Sequence, residues 1–327
     1  MTKNFKFDGP LVVSYGMGVD STAMLVGLYQ RGIRPDLILF ADTGAEVAET
    51  YNYLPEIQTW LARVGFPPVT VVRYVPSRFK HWPPYYTLEQ NCLTNGTLPS
   101  ISFGGRSKGA CSMKWKHAPQ HKFLCDWEPA RIAWREGRKV TKLIGFDCSI
   151  RDTQRRTYAD RKAAKTKSSK THLYDYWYAL QSWGWDREQC IAEIKAAGLR
   201  VPEKSACFFC FAMKPHELEA LPVDKLRRIV LLESRAKPRL TKIAGLWGHS
   251  TDKRSGSMTD YIVKHGLLPA EDVTRIQSAP DVLIRFQHSY AAGESAQNLG
   301  EFLHDNFPTL YTSAPVAAPP PPQLSLF

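Results

Sequence analysis

The sequence predicts an α/β protein with a doubly wound parallel sheet, and three observations carry this prediction. Apolar runs alternate with amphipathic segments at helical spacing between residues 10 and 75. Each strand-like run is apolar almost throughout, as expected for a sheet covered by helices on both faces. A glycine-rich turn directly follows the first run, in the place where such sheets bind ligands.

The predicted elements follow in chain order. We expect strands at residues 11–13, 36–41, 69–74 and 140–146, and helices at 21–31, 48–64, 118–135, 185–197, 214–221 and 223–236. Residues 76–110 lack a clear period and are interpreted as a lid.

Three domains are predicted. Residues 1–170 form a nucleotide-binding domain, and residues 171–290 form a smaller helical part that contains a Cys-x-x-Cys. Residues 291–327 form a flexible tail with a Pro- and Ala-rich tether at 314–322.

Charge and hydropathy limit the possible partners. The 327 residues carry 43 Lys and Arg against 31 Asp and Glu, a net charge of +12, which favours an anionic partner, with nucleic acid first. No run is long enough to span a membrane, and the first residues lack the apolar region of a secretory signal. We therefore expect a cytoplasmic protein with no membrane partner and with mostly reduced cysteines.

Gly16 and Gly18 lie between the first predicted strand and the first predicted helix. Backbone N–H groups and the positive end of a helix surround phosphates at such a turn. Asp20, Ser21 and Thr22 occupy the first helical turn, where they cap the helix or donate to phosphate oxygens. Neither the Walker pattern nor Gly-x-Gly-x-x-Gly fits this turn.

The segment from Ser14 to Thr22 resembles the Ser-Gly-Gly-x-Asp-Ser loop of the PP-loop ATP pyrophosphatases, with Gly16 replacing Ser and Met17 replacing the first Gly. Residues 42–50 are similar to the Asp-Thr-Gly-x-x-x-x-Glu-Thr segment of the phosphoadenylyl-sulfate reductase branch of that superfamily. Residues 111–119 resemble the Cys-x-x-x-x-Lys-x-x-Pro segment of the same branch.

A fourth similarity follows the strand at 140–146. Gly145 matches the strand-end glycine of the family, and arginines follow it at 151, 155 and 156. Ser149 and Ile150 stand where the family has two acidic residues, so we expect that pair to be absent.

The resemblance implies an adenine nucleotide alpha-hydrolase-like fold that binds ATP and Mg²⁺. The implied nucleotide-binding residues are Ser14, Gly16, Gly18, Asp20, Ser21, Thr22, Asp42, Thr43 and Lys116. The implied catalytic residues are Asp20, Asp42, Arg151 and Arg155, of which the arginines would neutralise charge in the transition state.

Cys207 and Cys210 form a Cys-x-x-Cys pair. The spacing alone allows three interpretations: a buried apolar pair, half a zinc site or a redox pair. The resemblance implies that Cys111 joins this pair to hold a 4Fe–4S cluster, with Zn²⁺ as the alternative. Cys148 is the expected fourth ligand; without it one iron stays open to sulfide. The cysteines at 92, 125 and 190 are interpreted as core or surface residues.

The run from 151 to 170 is strongly basic and is interpreted as a phosphate-contacting segment, with a solvated loop as the alternative. The aromatic residues at 174–178 and 183–185 are interpreted mainly as core. The last five residues, Gln323, Leu324, Ser325, Leu326 and Phe327, resemble the pentapeptide that binds the bacterial DNA sliding clamp. A frayed apolar tail is the alternative.

Together these features predict ATP-dependent, pyrophosphate-releasing sulfur transfer to nucleic acid, with DNA as the expected substrate. This activity resembles that of the sulfur-inserting ATPase of DNA phosphorothioation systems, and it implies a sulfur-donor protein and the sliding clamp as partners. The first alternative is reduction of phosphoadenylyl sulfate to sulfite. The second is a non-catalytic, clamp-associated DNA-binding factor.

Overall fold

The structure is a computed structural model that describes residues 7–76, 83–99, 101–102, 105–106, 110–165 and 172–312. The strands in these residues are β1 (Leu11–Tyr15), β2 (Leu37–Asp42), β3 (Val69–Arg73), β4 (Ile101–Ser102), β5 (Gly105–Arg106), β6 (Val140–Ile144) and β7 (Tyr174–Trp177).

Helices are numbered in the same way over the described residues. They are α1 (Val19–Gln30), α2 (Ala48–Arg63), α3 (Leu88–Asn95), α4 (Ala110–Ser112), α5 (Ala118–Asp126), α6 (Glu128–Arg135), α7 (Ile150–Lys165), α8 (Ala179–Trp183), α9 (Arg187–Ala196), α10 (Pro215–Glu219), α11 (Val223–Ala236), α12 (Met258–Lys264), α13 (Ala270–Ser278), α14 (Pro280–Ala291) and α15 (Leu299–Asn306). A π-helical segment, Met113–His117, joins α4 to α5.

Five parallel strands form the central sheet in the order β3-β2-β1-β6-β7. The chain moves outward from β1 to β3, then returns to place β6 on the other side of β1. The direction of winding therefore reverses between β1 and β6, and the carboxyl ends of these two strands border the crevice where such sheets bind ligands.

Alternate residues of the strands enter two separate cores. Val13, Ile38 and Phe40 pack with α1, α2 and α9 in one core. Val12 and Leu39 pack with α5 and α6 in the other. Since successive strand residues point to opposite faces, helices cover this sheet on both sides. The predicted α/β class with a parallel sheet is confirmed.

The chain divides into two units. The first contains the residues up to Asp42, Glu46–Val72 and His117–Ala206. The second contains Thr43–Ala45, Arg73–Lys116 and the residues from Cys207 onward. The predicted boundary at residue 170 falls inside the first unit, because β7 pairs with β6 and extends the sheet.

Several predicted elements differ from the observed ones. The expected helix at 118–135 is two helices, since the backbone is extended at Trp127. Residues 76–110, predicted as a lid, include α3, which is buried along nearly its whole length. Helix α15 lies in the part predicted to be a flexible tail, and Asn298 caps its first turn. Residues 313–327, with the tether and the clamp-binding motif, lie outside the described residues.

The length and hydropathy of a helix determine whether it can span a membrane. No helix in the described part of the chain combines the length and the apolarity that crossing a bilayer requires.

A buried ion pair joins α11 to α3 in the second unit. The Arg228 Nε donates to Glu89 Oε1 at 2.8 Å, and a second contact joins Nη2 to Oε2. The Tyr311 hydroxyl also donates to Glu89 Oε1, at 2.9 Å. The Glu89 side chain is only 3% exposed, so these donors take the place of water.

We expect Glu89→Gln to lower the free energy of unfolding by about 3 kcal/mol, because Arg228 is then left buried without a counter-charge. The matched control is Arg275→Gln: Arg275 is exposed, and its loss should cost less than about 1 kcal/mol because Asp272 keeps its pair with Arg227. Urea unfolding of the two variants measures the difference. Equal losses would contradict a stabilising role for the buried pair.

Candidate functional site

The turn between β1 and α1 is held in shape by one hydroxyl. Ser21 Oγ accepts from the Gly16 N–H at 3.2 Å and donates to the Gly18 carbonyl at 3.1 Å. The Thr22 N–H donates to the same carbonyl at 3.0 Å. Gly16 is exposed, so the turn opens to solvent at the carboxyl end of the central strand. This arrangement exposes the backbone beside a helix N-terminus, which suits an anionic group.

Met17 is in a left-handed backbone conformation, with φ of 58°, and it is the one described non-glycine residue with positive φ. A left-handed conformation costs a residue with a Cβ about 1 kcal/mol. The Met17 side chain is only 1% exposed and belongs to the core beneath the sheet. Burial of the side chain therefore offsets the strain at the position where the resembling loop has glycine.

Gly145, directly after β6, touches the first turn of α1. A Cβ placed on Gly145 would lie 3.0 Å from both the Cα and the N of Ser21. No side chain fits at that distance without moving the backbone, so the strand end requires glycine. The contact joins the carboxyl ends of β1 and β6 at the point where the sheet reverses direction.

Three carboxylates lie near this contact. Burial raises the pKa of Asp20; the Arg187 guanidinium opposes that shift, and Asp147 and Asp152 add to it. Arg187 Nη1 donates to Asp20 Oδ1 at 2.5 Å. Both Asp147 and Asp152 are buried. Ser149 and Ile150 stand where the resembling family has its acidic pair, and these two acids flank those positions.

The two arginines predicted to be catalytic differ in their surroundings. Arg155 Nη1 donates to Asp152 Oδ1 at 2.9 Å, and its guanidinium lies 4.2 Å from the ring centroid of Phe146. Arg151 is exposed and makes no ion pair within the described residues. Arg155 is thus held beside the carboxylates, whereas Arg151 points to solvent.

Asp42 lies at the end of β2, at the same edge of the sheet, because Tyr15 of β1 pairs with Phe40 of β2. Its carboxylate is buried, and the Tyr51 hydroxyl donates to Oδ1 at 2.8 Å. Burial and the nearby Asp42 raise the pKa of Tyr51, so its hydroxyl stays protonated and remains a donor. Asp42 is therefore an oriented carboxylate at the end of a strand.

Two residues predicted to bind phosphate have hydroxyl groups that already contact other side chains of the protein. Thr22 is fully buried, and its hydroxyl lies 3.0 Å from that of Tyr15. Its backbone N–H is also used, so Thr22 supports the start of the helix instead of presenting a donor to solvent. Ser14 is partly exposed, and its hydroxyl donates to Gln120 Oε1 at 3.0 Å.

In the second unit, Thr43 lies against the Cys-x-x-Cys loop. Thr43 Oγ1 and Cys207 Sγ are 3.2 Å apart, and both residues are buried. The Cys210 N–H donates to the Cys207 carbonyl at 2.9 Å and closes the turn. Lys116 is half-buried within the π-helical segment, a distortion that is common at functional sites.

The iron–sulfur cluster that the resemblance implies stays a prediction. Within the described residues, no three Cys, His, Asp or Glu side chains are arranged to hold a metal ion. Cys148 lies in the first unit, where burial and the charges of Asp147 and Asp186 raise the pKa of its thiol. Cys148 as the fourth ligand stays a prediction.

The remaining cysteines differ in their exposure. Cys92 is buried, and burial raises the pKa of its thiol, with Glu89 and Cys111 adding to the shift. Cys190 is buried in the core as predicted, and Cys125 is exposed.

Comparisons of the chain with protein-family models and with curated proteins each found no match.

Met17 permits a test of the strained loop. We expect Met17→Gly to be about 1 kcal/mol more stable than Met17→Ala, because both lose the buried side chain and only glycine relieves the positive φ. At Met24, buried within α1, the order should reverse, with Ala about 1 kcal/mol more stable than Gly. Urea unfolding of the four variants gives both differences. If the glycine and alanine variants had the same order of stability at both positions, strain at Met17 would be ruled out.

Proposed function

We propose that this protein is an ATP-dependent enzyme that transfers AMP to an oxygen, releases pyrophosphate and replaces the activated oxygen with sulfur in nucleic acid. The observation that carries the proposal is the contact between Gly145 and Ser21, which sets a glycine turn and a helix N-terminus at the reversal point of a parallel sheet. We assign the fold to the adenine nucleotide alpha-hydrolase-like, doubly wound class on the same ground.

The first step is a displacement at the α-phosphorus of ATP. An oxygen of the substrate forms a bond to the α-phosphorus, the bond to the bridging oxygen breaks, and pyrophosphate leaves. Gly16, Gly18 and Ser21 would hold the phosphates through the turn and the helix N-terminus. Mg²⁺ bound with ATP would neutralise phosphate charge, and Asp42 is a candidate carboxylate for it because Mg²⁺ needs only one or two protein ligands.

The second step needs a sulfur nucleophile. A hydrosulfide attacks the activated centre, its sulfur forms the new bond, and AMP leaves with the original oxygen. A persulfide donor supplies the same sulfur once a thiol reductant has cleaved its S–S bond. Nucleic acid is proposed as the acceptor because of the net charge of +12, and DNA because residues 323–327 resemble a clamp-binding peptide. A cytoplasmic location and docking on the sliding clamp belong to the same proposal.

We expect Asp42→Asn to lower ATP–pyrophosphate exchange, measured with DNA present, by roughly a hundredfold, because an oriented carboxylate at the nucleotide edge is lost. Glu188→Gln, an exposed carboxylate on α9, is the matched control and should retain full exchange. Equal activity in the two variants would remove Asp42 from the site.

The same assay separates the proposal from its alternatives. Sulfite release from phosphoadenylyl sulfate, without exchange, would favour the reductase. Binding of DNA without either reaction would favour the non-catalytic factor.

The iron–sulfur cluster is a separate hypothesis, and no step above uses it. If Cys207 and Cys210 are ligands, the Cys207→Ser, Cys210→Ser double variant should lose the iron and acid-labile sulfide of the anaerobically purified protein. Cys125→Ser, at an exposed thiol, should retain them. Stoichiometric zinc with no iron in the unaltered protein would exclude the cluster.

A further inference from the structure

Helix α7 extends from the candidate site with very little cover. From position 150 to position 161, every side chain except those of Asp152 and Ala159 is exposed. The exposed residues include two large apolar ones, Ile150 at 79% and Tyr158 at 67%. A surface helix of a globular protein normally buries an apolar stripe, so α7 has a face that its own unit does not use.

Charges are sorted around this helix. One row follows the helical spacing i, i+4, i+7 and consists of Arg151, Arg155 and Tyr158. Arg161 lies beside the row. Of the two acids of the helix, Asp152 is buried and pairs with Arg155, and Asp160 is about 180° from Arg151 at 100° per residue. The row therefore consists of two arginines and a tyrosine.

A stack of planar groups fixes the helix to the rest of the first unit. The Arg155 guanidinium lies 4.2 Å from the ring centroid of Phe146, and the ring centroids of Phe146 and Tyr178 are 5.5 Å apart. The Arg156 guanidinium lies 5.0 Å from the ring centroid of Tyr178 and completes the stack. The helix is thus held firmly at its beginning, although its basic row stays in solvent.

The position of the row relates it to the candidate phosphate site. Helix α7 begins five residues after Gly145, whose backbone contacts Ser21, and Asp152 in its first turn acts on the pKa of Asp20. The row starts at this edge of the sheet, and from Arg151 to Arg161 the helix rises about 15 Å, at 1.5 Å per residue. That length corresponds to about four base-pair steps of a duplex.

We propose that the basic row of α7 binds the phosphodiester backbone of a nucleic acid, and that Tyr158 stacks on an unpaired base. The proposal rests on the proposed function in taking nucleic acid as the substrate, and it names the surface that holds it. Phosphates would meet the free guanidinium groups of Arg151 and Arg161, which make no ion pair within the described residues. Aromatic stacking requires an accessible base, so single strands should bind more tightly than duplexes.

The test measures binding of fluorescent single-stranded DNA, single-stranded RNA and duplex DNA without ATP, between about 50 and 200 mM salt. Arg161→Gln should weaken binding to single-stranded DNA roughly three- to tenfold and reduce the slope of log K against log salt by about 0.7, the value for one lost phosphate contact. Tyr158→Ala should weaken single-strand binding at least about fivefold and leave duplex binding unchanged. A preference between the DNA and RNA strands identifies which of them is the substrate.

Matched controls lie on other elements of the same unit. Lys195→Gln removes one exposed charge from α9, and Tyr176→Ala removes one exposed ring from β7. Both should bind as the unaltered protein does. Equal weakening by Lys195→Gln and Arg161→Gln would show that only net charge matters and would overturn the proposal, as would an unchanged salt slope for Arg161→Gln.

ATP–pyrophosphate exchange, measured on the same proteins, separates the two proposals. If exchange occurs and the α7 variants bind normally, the α7 surface is wrong and the proposed function stands. If the α7 variants lose binding as expected and no exchange occurs in the unaltered protein, the nucleic-acid surface stands and the proposed function fails.

Discussion

The close approach of Gly145 to Ser21 is the constraint on which the candidate site depends. It brings the end of β6 to within backbone contact of the first turn of α1, at 3.0 Å from an added Cβ. With this contact, the turn at Gly16–Gly18, the carboxylates at positions 147 and 152 and the start of α7 all lie at one edge of the sheet. A side chain at position 145 would press on the backbone of Ser21, although the pairing of Ser14 with Ile144 would still hold β1 and β6 together.

Ser21 has a second role in this arrangement. Its hydroxyl bonds the Gly16 N–H and the Gly18 carbonyl, so the turn keeps its form without a ligand. Met17 adds a cost, since its φ is positive, and burial of its side chain compensates for that cost. Rigid loops of this kind lose little entropy on binding an anion, which is an advantage for a site that must position a phosphate accurately.

The sequence predicted the sheet well where the strands are central and apolar. It missed β7, because Asp175 and Tyr176 are exposed on this edge strand and interrupt the apolar run. It did not predict the burial of the acids at 147 and 152, since burial depends on packing in the folded chain. The inward-facing hydroxyl of Thr22 was also unforeseen, since that orientation depends on Tyr15, whose side chain approaches it only in the folded state. The glycine turn itself was predicted, because it lies between an apolar strand and a helix that are both evident from local hydropathy.

The charge pattern of α7 connects these points to function. Like charges at i, i+4 destabilise a helix by about 0.2–0.5 kcal/mol for each pair, and Arg151 and Arg155 form such a pair. Asp152 lies between them and pairs with Arg155, and Asp160 pairs with Arg156 on the other side. Arg151 and Arg161 make no ion pair within the described residues, so their charges are left to be balanced by something outside the chain. A polyanion meets both charges at once, whereas a single small anion meets only one.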